Sequence, residues 1–480
     1  MTQTSALIDI GGSSVKVTIY ENSAGQIYSH EVQLNSKVQG KHIYLEPNYL
    51  LDKVIDAMNG CAHKLPNSLQ IEKIYISTLR QGFCLVQNSK ETTPLYLNSD
   101  TTGEYCRQEV ENYGSKKIYE ETGHWFAPQL TLPKLLHLKK TKPELIGKDS
   151  KLLFVHDWLV WRFTRTLLTE MTLVSAGQLA NVADKCVNHE LLDYFNLPVS
   201  ILPEPRKFGS FVGSLNKETF ASLSFNWNKA SLFVGGGDSH FLHMGGSGNN
   251  AGKVVVSAGS STPISLLSPV VGVSTQLQPW KSTSFVDSDY MLEGNLGYPG
   301  SFYGWLKKNV ATPIVPQKVT AEALLNAPRI FGACNMWNEN KWESRPPFSI
   351  MGDFSKSSGT DLALGLTLDY SFALSSQISA LIEDGFLVDE IIITGGGSNP
   401  QIQSILHSLL GIKVSLMSSE VAIKNLFTLL DHQNIQKIES NTYEEKLDDE
   451  IAQLLKEQCK NHATLYKQFE GARRVLENVK

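Results

Sequence analysis

The stretch LIDIGGSSVKVTIY, Leu7 to Tyr20, places an apolar run on either side of a turn made of Gly11, Gly12, Ser13 and Ser14. Leu7, Ile8 and Ile10 lead in. Val15, Val17 and Ile19 lead out with the alternation of a strand, so the spacing predicts a β-hairpin. A tight turn accounts for the glycines but not for Asp9, because a carboxylate on an otherwise apolar strand is costly to bury without a partner. A small-residue turn with free backbone N–H groups can cradle phosphate, and a carboxylate beside it can hold the Mg²⁺ that phosphates carry. The plainer alternative is an ordinary hairpin turn capped by Asp9. Taken alone, the stretch fits both.

The 480 residues exceed what one compact core organises, and at ~150 residues per domain they predict two or three domains. Hydrophobic residues make up 41% and charged residues 19%, as in an ordinary globular protein. A net charge of −5, with no local basic cluster, gives no electrostatic case for nucleic acid or an anionic membrane. The opening MTQTSAL lacks a secretory layout. The apolar run KLLFVHDWLVWRFTRTLL is broken by His156, Asp157, Arg162 and Arg165, so neither a signal nor a membrane span is predicted and a cytoplasmic protein is expected. Cys61, Cys84, Cys106, Cys186, Cys334 and Cys459 stand singly, without the spacing of a metal site, and read as thiols in a reducing compartment.

Strand and helix patterns alternate along the chain, which argues an α/β fold. EKIYIST and FCLVQ read as strands; YLLDKVIDAMN and the run around LPKLLHLKK read as helices. About half a chain after the first hairpin its layout returns in VVVSAGSSTPISLL, with Gly259, Ser260, Ser261 and Thr262 in the turn. Two halves that each open with a phosphate-type hairpin predict two related domains facing each other across a nucleotide. Gly-Ser turns are common, and coincidence is the competing explanation.

A third site is DEIIITGGGSNPQIQSILHSLLGIKV. Asn399 fits an N-cap, Pro400 the first helical position and Gly411 the residue after the last turn. Ile402, Ile405, Leu406, Leu409 and Leu410 keep the spacing of one buried face. Gly395, Gly396 and Gly397 exceed what a turn requires; three in a row let a flat group lie directly on the backbone at a helix N-terminus. Between the repeats lies SLFVGGGDSHFLHMGG, where a strand ending in Gly235, Gly236 and Gly237 delivers Asp238 at the start of a helix. Capping is the plain role for Asp238. If the phosphate sites converge it takes another, as the carboxylate that accepts the proton of an attacking hydroxyl.

DIGGSSVK, GGGDSH, SAGSSTP and TGGGSNP, in this order and at these separations, resemble the FGGY carbohydrate kinases, the relatives of xylulokinase, L-fuculokinase, rhamnulokinase and glycerol kinase. The resemblance implies two ribonuclease H-like domains of the actin and hexokinase type with a cleft between them, divided as residues 1–242 and 243–480. It implies an ATP-dependent enzyme that phosphorylates a hydroxyl of a small ketose, either ketopentose or deoxyketohexose, or of a polyol. By that likeness Asp9 helps hold Mg²⁺, Gly11 to Ser14 and Gly259 to Thr262 flank the phosphates, Gly396, Gly397 and Asn399 belong to the nucleotide side, and Asp238 is the general base. ISTLRQGFCLV matches the segment that reads N-Q-R-E-T or Q-M-H-G in relatives, turning Arg80 and Gln81 toward substrate. LNSDTT is the counterpart of the W-N-D-T-R run, and TGHWFAP makes Trp125 a platform for the sugar's apolar face. A surface ion pair for Arg80 and core packing for Trp125 are the alternatives.

Three departures stand out. Leu364-Gly365 replaces Glu-Gly; Asn425 and Leu426 replace a small pair after Glu420; GACNMWNENKWESRPPF lacks G-E-R-x-P-Y. The altered helix after the third glycine motif raises a second reading, a sugar-sensing or pseudoenzyme relative of the same fold without ATP turnover, which retention of Asp9 and Asp238 opposes. GGSGNNA, Gly246 to Ala251, fits a dinucleotide template, yet it follows a helix pattern and precedes a strand, the reverse of what that template needs. Walker A is absent. The C-terminal run predicts a long amphipathic helix with Ile451, Leu454, Leu455, Cys459, Tyr466, Phe469 and Leu476 on one face, packed back on the domains or used as a partner or homodimer surface.

Overall fold

The computed structural model of the chain describes residues 4–22, 24–66, 68–259, 261–272, 278–297, 299–309, 315, 318–331, 349–351, 357–432 and 447–477. Ser260, Cys334 and the GACNMWNENKWESRPPF stretch, and the side chains of Phe469 and Leu476, fall outside that description. The chain divides into two compact units. The first contains Met1–Gly245, Lys281–Met291 and Lys424–Gln436; the second contains Gly246–Trp280, Leu292–Ile423 and Lys437–Lys480.

In the first unit Thr4–Ile10 and Ser14–Glu21 form the expected hairpin, and Lys73–Thr78 lies parallel to Thr4–Ile10 on its other side. Ser231–Phe233 and Gly236–Gly237 continue the parallel set beyond Lys73–Thr78. Ala6, Ile8 and Ile10 are fully buried and Leu7 nearly so, as befits a central strand covered on both faces. On one face the Pro47–Ala62 helix sets Leu50, Val54, Ala57, Met58 and Cys61 against Ile8, Val17 and Ile74. A separate core forms where Phe83 and Leu85 meet Leu132, Leu135 and Leu136 of the Thr131–Thr141 helix.

The late segment of the first unit completes the sheet's flank. Phe427 stacks on Tyr20 at 5.5 Å between ring centroids, Tyr75 donates to the Leu430 carbonyl at 3.2 Å, and Ser5 donates to the Asp431 carboxylate at 2.6 Å. These residues belong to the Ser419–His432 helix, more than three hundred positions downstream of the strands they cover.

The second unit repeats the local topology. Lys253–Ser257 pairs antiparallel with Pro263–Ser268 and parallel with Glu390–Thr394, which pairs parallel with Lys413–Met417. Val254, Val256, Ile391 and Ile393 pack against Tyr370, Leu374 and Ile378 of the Gly359–Glu383 helix and against Ile402 and Leu406 of the Pro400–Leu410 helix. The Asp449–Glu477 helix packs back on this unit: Leu455, with Ile451, Leu454 and Cys459, joins Leu364, Leu368 and Phe372. His462 Nε2 lies 2.9 Å from Asp369 Oδ1, both buried, and fixes the register of that packing.

The departures at 364 and 425 have structural reasons. Leu364 is an apolar core residue, and a Cβ on Gly365 would come 2.4 Å from the Pro328 carbonyl oxygen. Asn425 is buried and donates to the Gly245 carbonyl at 3.4 Å. Gly246 and Ser247 end the Asp238–Ser247 helix and the next strand begins at Lys253, so GGSGNNA has the element order that a dinucleotide turn does not. Among the described residues no helix is long and apolar enough to cross a membrane. The described cysteines are free thiols; Cys61, Cys84 and Cys106 are buried and Cys186 is exposed.

Candidate active site

Strand register gathers the first unit's candidates. Ile10 is opposite Thr78, and Thr78 is opposite Gly237. The carboxyl ends of three parallel strands therefore release Gly11, Leu79 and Asp238 side by side, the place where open α/β sheets bind ligands. Leu79 N–H donates to the Ile10 carbonyl at 2.8 Å and stitches two of the exits together.

Asp9 faces Ser77 across the parallel pair, and the Ser77 hydroxyl donates to Asp9 Oδ1 at 2.7 Å. Burial raises the Asp9 carboxyl above its ordinary value, partly offset by that hydrogen bond and by Lys16. The Gly11 N–H closes the turn on the Ser14 carbonyl at 3.0 Å, and the Ser13 carbonyl accepts from Leu34 N–H at 2.8 Å. Among the described residues the amides of Gly12 and Ser13 have no protein acceptor. Neither Gly11 nor Gly12 has positive φ, and a Cβ on either would meet nothing nearer than 3.7 Å. The protein itself does not require glycine here; a ligand lying on the backbone would.

Asp238 is the first residue of its helix, and its Oδ1 accepts from the adjacent Ser239 N–H at 2.8 Å. Its side chain remains 45% exposed, with Arg80 Nε 3.7 Å from Oδ1. Arg80 is buried, and its ion pair is with the half-exposed Asp238 at the strand ends. Gln81 adopts a left-handed φ of 62°, its carbonyl accepting from Thr131 Oγ1 at 3.0 Å and Lys134 Nζ at 2.8 Å.

Trp125 is half-buried. Two residues before it the Gly123 carbonyl accepts from Lys281 N–H at 2.9 Å, and two residues after Asp238 the His240 ring Nε2 bonds the Thr283 carbonyl at 2.9 Å. Lys281 and Thr283 are roughly 7 Å apart along one strand, so this segment links the Trp125 loop to the Asp238 helix. Burial, then the Arg80 charge, pulls His240 down to about 3, and its imidazole is neutral.

A buried network that motif reading missed holds the Gly235–Gly237 run. Gly235 N–H donates to His156 Nε2 at 3.0 Å, which places the ring proton on Nδ1, 2.8 Å from Asp157 Oδ1. Thr169 donates to Asp157 Oδ2 at 2.7 Å. Gly237 N–H meets Thr172 Oγ1 at 3.4 Å, and Thr172 donates to Glu170 Oε2. Burial pushes the Glu170 carboxyl up to about 8. The available signal was polar: His156 and Asp157 interrupt an apolar run, and such groups are buried only with partners.

In the second unit Ser257 lies opposite Thr394, so the turns after those strands also emerge together. They bound a cavity of about 550 Å³ whose lining includes Gly259, Thr262, Gly396, Gly397 and Asn399. Tyr303, Thr367, Tyr370 and Gln401, which motif reading did not single out, line it as well. Gly395 has φ 101° and would place a Cβ 2.8 Å from the Ala258 carbonyl oxygen, whereas a Cβ on Gly396 meets nothing within 4 Å. Asn399 is the N-cap, accepting from Ile402 N–H at 2.9 Å; Pro400 and Gly411, with φ 68°, occupy the expected helix ends. The Thr262 N–H is spent on the Gly297 carbonyl at 3.0 Å, and its buried hydroxyl has no hydrogen-bond partner among the described residues.

Among the described residues no group of three or more His, Cys, Asp or Glu side chains is disposed to hold a metal ion. Mg²⁺ in phosphate chemistry typically takes one or two carboxylates with phosphate oxygens and water, and Asp9 and Asp238 are the carboxylates at these strand ends.

A model of the FGGY family of carbohydrate kinases, N-terminal domain, matches residues 5–245. The chain belongs to that family. The putative sugar kinase YoaC of Bacillus subtilis is 23% identical over 325 residues, covering 66% of this chain and 65% of that protein, so the alignment spans just under two thirds of the relative. Among solved structures, the ligand-bound xylulose kinase from Lactobacillus acidophilus superposes with a TM-score of 0.82 at 16% identity, over 98% of this chain and 100% of that one. Plasmodium falciparum glycerol kinase with ADP gives 0.80 at 18% identity, over 98% of both chains. The chain therefore shares the α/β fold of these kinases.

Proposed function

We propose that the protein is an ATP-dependent sugar kinase that transfers the γ-phosphoryl group to a hydroxyl of a small ketose or polyol. The observation that carries this reading is the Ile10–Thr78–Gly237 register, which puts an open glycine turn, a buried arginine and a half-exposed aspartate at one sheet edge. Family membership supports the reaction class, and the names of the relatives, xylulose kinase and glycerol kinase, support the acceptor class.

The second unit's cavity takes the nucleotide, with the open face of Gly396 against its flat part and the Gly259 turn near its phosphates. The free amides of Gly12 and Ser13 receive phosphate oxygens in the first unit. Asp9 would hold Mg²⁺, which when bound neutralises charge on the phosphates. Asp238 accepts the acceptor hydroxyl's proton as its oxygen attacks phosphorus and ADP leaves. Arg80 beside it orients that carboxylate, Gln81 hydrogen-bonds a substrate hydroxyl, and Trp125 takes the apolar face.

The test is a panel of ketoses and polyols assayed for coupled ADP formation, with Asp238→Asn as the control. This variant should lose ~10²–10⁴ of turnover, the usual worth of a general base, while calorimetry shows ATP binding unchanged. Substantial residual turnover in Asp238→Asn would remove the base assignment.

A further inference from the structure

Lys134, on the first turns of the Thr131–Thr141 helix, is a buried lysine that forms no ion pair among the described residues. Its Nζ donates to two backbone carbonyls, Gln81 at 2.8 Å and Leu97 at 2.8 Å, and sits 5.7 Å from the Phe83 ring centroid. The carboxylate that influences it, Asp100, is engaged elsewhere, accepting from Ile43 N–H at 3.1 Å and from Thr102 N–H at 2.9 Å. Burial drags the amine down to about 7, a loss that a methionine of similar length would avoid. Something else must favour a donor at this point.

What it holds is the strained residue of the site. Gln81 is a non-glycine residue at φ 62°, in a connection so tight that Gly82 N–H already reaches the Arg80 carbonyl at 2.8 Å. A left-handed side-chain-bearing residue persists where its surroundings over-determine it. Two donors from one helix, Thr131 Oγ1 and Lys134 Nζ, converge on the Gln81 carbonyl and do so. The Gln81 side-chain Nε2 meanwhile is buried without a hydrogen-bond partner among the described residues. A buried amide donor left unmatched in a rigid setting is poised for an acceptor supplied from outside.

We propose that Lys134 is a positioning residue for acceptor binding: its clamp on the Gln81 carbonyl maintains the left-handed backbone that presents the Gln81 carboxamide to a substrate oxygen. This rests on the reading of Gln81 as a sugar contact made above. It predicts that Lys134 acts through Gln81 and leaves the nucleotide untouched.

The experiment is a double-mutant cycle on the full chain with Lys134→Met and Gln81→Ala. Affinity for D-xylulose, L-rhamnulose and glycerol is read by calorimetry, which needs no turnover, alongside ATP affinity and coupled ADP formation. Lys134→Met should weaken the bound acceptor about tenfold, leave ATP affinity within twofold, and add nothing further in the Gln81→Ala background. A purely structural lysine would instead lower thermal stability with acceptor affinity unchanged, or give effects that add across the cycle; either result overturns the inference. Should Lys134→Met not fold, Thr131→Val removes the other donor to the same carbonyl and should weaken the acceptor about threefold, with no change overturning the clamp. Acceptor binding with the expected cycle but no ADP formation would uphold the clamp and defeat the kinase reading. If Gln81→Ala leaves acceptor affinity intact, the clamp fails while the kinase reading stands. Failure of the wild-type chain to bind or phosphorylate any of the three counts against both.

Discussion

Two glycine runs in the first unit look alike as text and differ in what they answer to. Gly235, Gly236 and Gly237 are glycines because their own chain crowds them: a Cβ would fall 1.9 Å from Ile76 O, 2.7 Å from the Phe285 ring and 2.9 Å from the Arg80 side chain. Gly11 and Gly12 are crowded by nothing and have no need of positive φ. The first run is glycine for the fold; the second is left open by it, and under the proposed function phosphate oxygens lie against it. Gly396 in the second unit belongs with the latter, beside Gly395, which belongs with the former.

That contrast is open to direct attack, and the bluntest instrument is Gly235→Ala. The added methyl must displace the backbone of the neighbouring parallel strand, and overpacking of this kind costs ~1–3 kcal/mol or more, so we expect a large drop in melting temperature or no folded protein. A variant with wild-type stability would mean that the run is not clamped. The next effect concerns Glu170, whose Oε2 lies 2.8 Å from where a Cβ on Gly236 would be. Folded, this carboxyl keeps its proton to about pH 8, against an ordinary 4.5, so the folded state holds more protons across that window and stability falls as pH rises through it. Glu170→Gln abolishes the group's contribution; its stability relative to wild type should rise between about pH 5 and 8, by about 1.4 kcal/mol for each unit of displacement that is real. Denaturant titrations at several pH values read this, and parallel curves for the two proteins would refute it. The smallest stability effects belong to Gly12→Ala and Gly396→Ala, each within ~0.5 kcal/mol of wild type as for an uncrowded surface change. Their signature is selective: ATP affinity should fall about tenfold while the melting temperature holds. A loss of stability without a loss of affinity would reverse the assignment.

Much of the site's local grammar was legible. The hairpins at Gly11 and Gly259, the Asn399–Pro400–Gly411 helix ends and the strand-to-helix delivery of Asp238 are short-range features, dictated by dihedral preference and capping chemistry within a few residues. What escaped was long-range. No local rule states that Thr78 sits between Ile10 and Gly237, that His156 reaches Gly235, or that residues 281–283 return to bridge Gly123 and His240. Nor does a glycine announce whether protein or ligand lies against it; only the surrounding atoms do. Thr262 shows the reverse case, a motif residue whose amide is already committed to Gly297.

The docking of Phe427, Leu430 and Asp431 onto Tyr20, Tyr75 and Ser5 bears on how the molecule is born. The N-terminal sheet leaves the ribosome early but cannot be sealed until codons for residues beyond 245 and up to 431 have been translated, a wait of roughly 10–40 s at ordinary elongation rates. During that interval a buried-type serine and two tyrosines face water, so a polypeptide terminated at Gly245 carries a permanently unfinished flank.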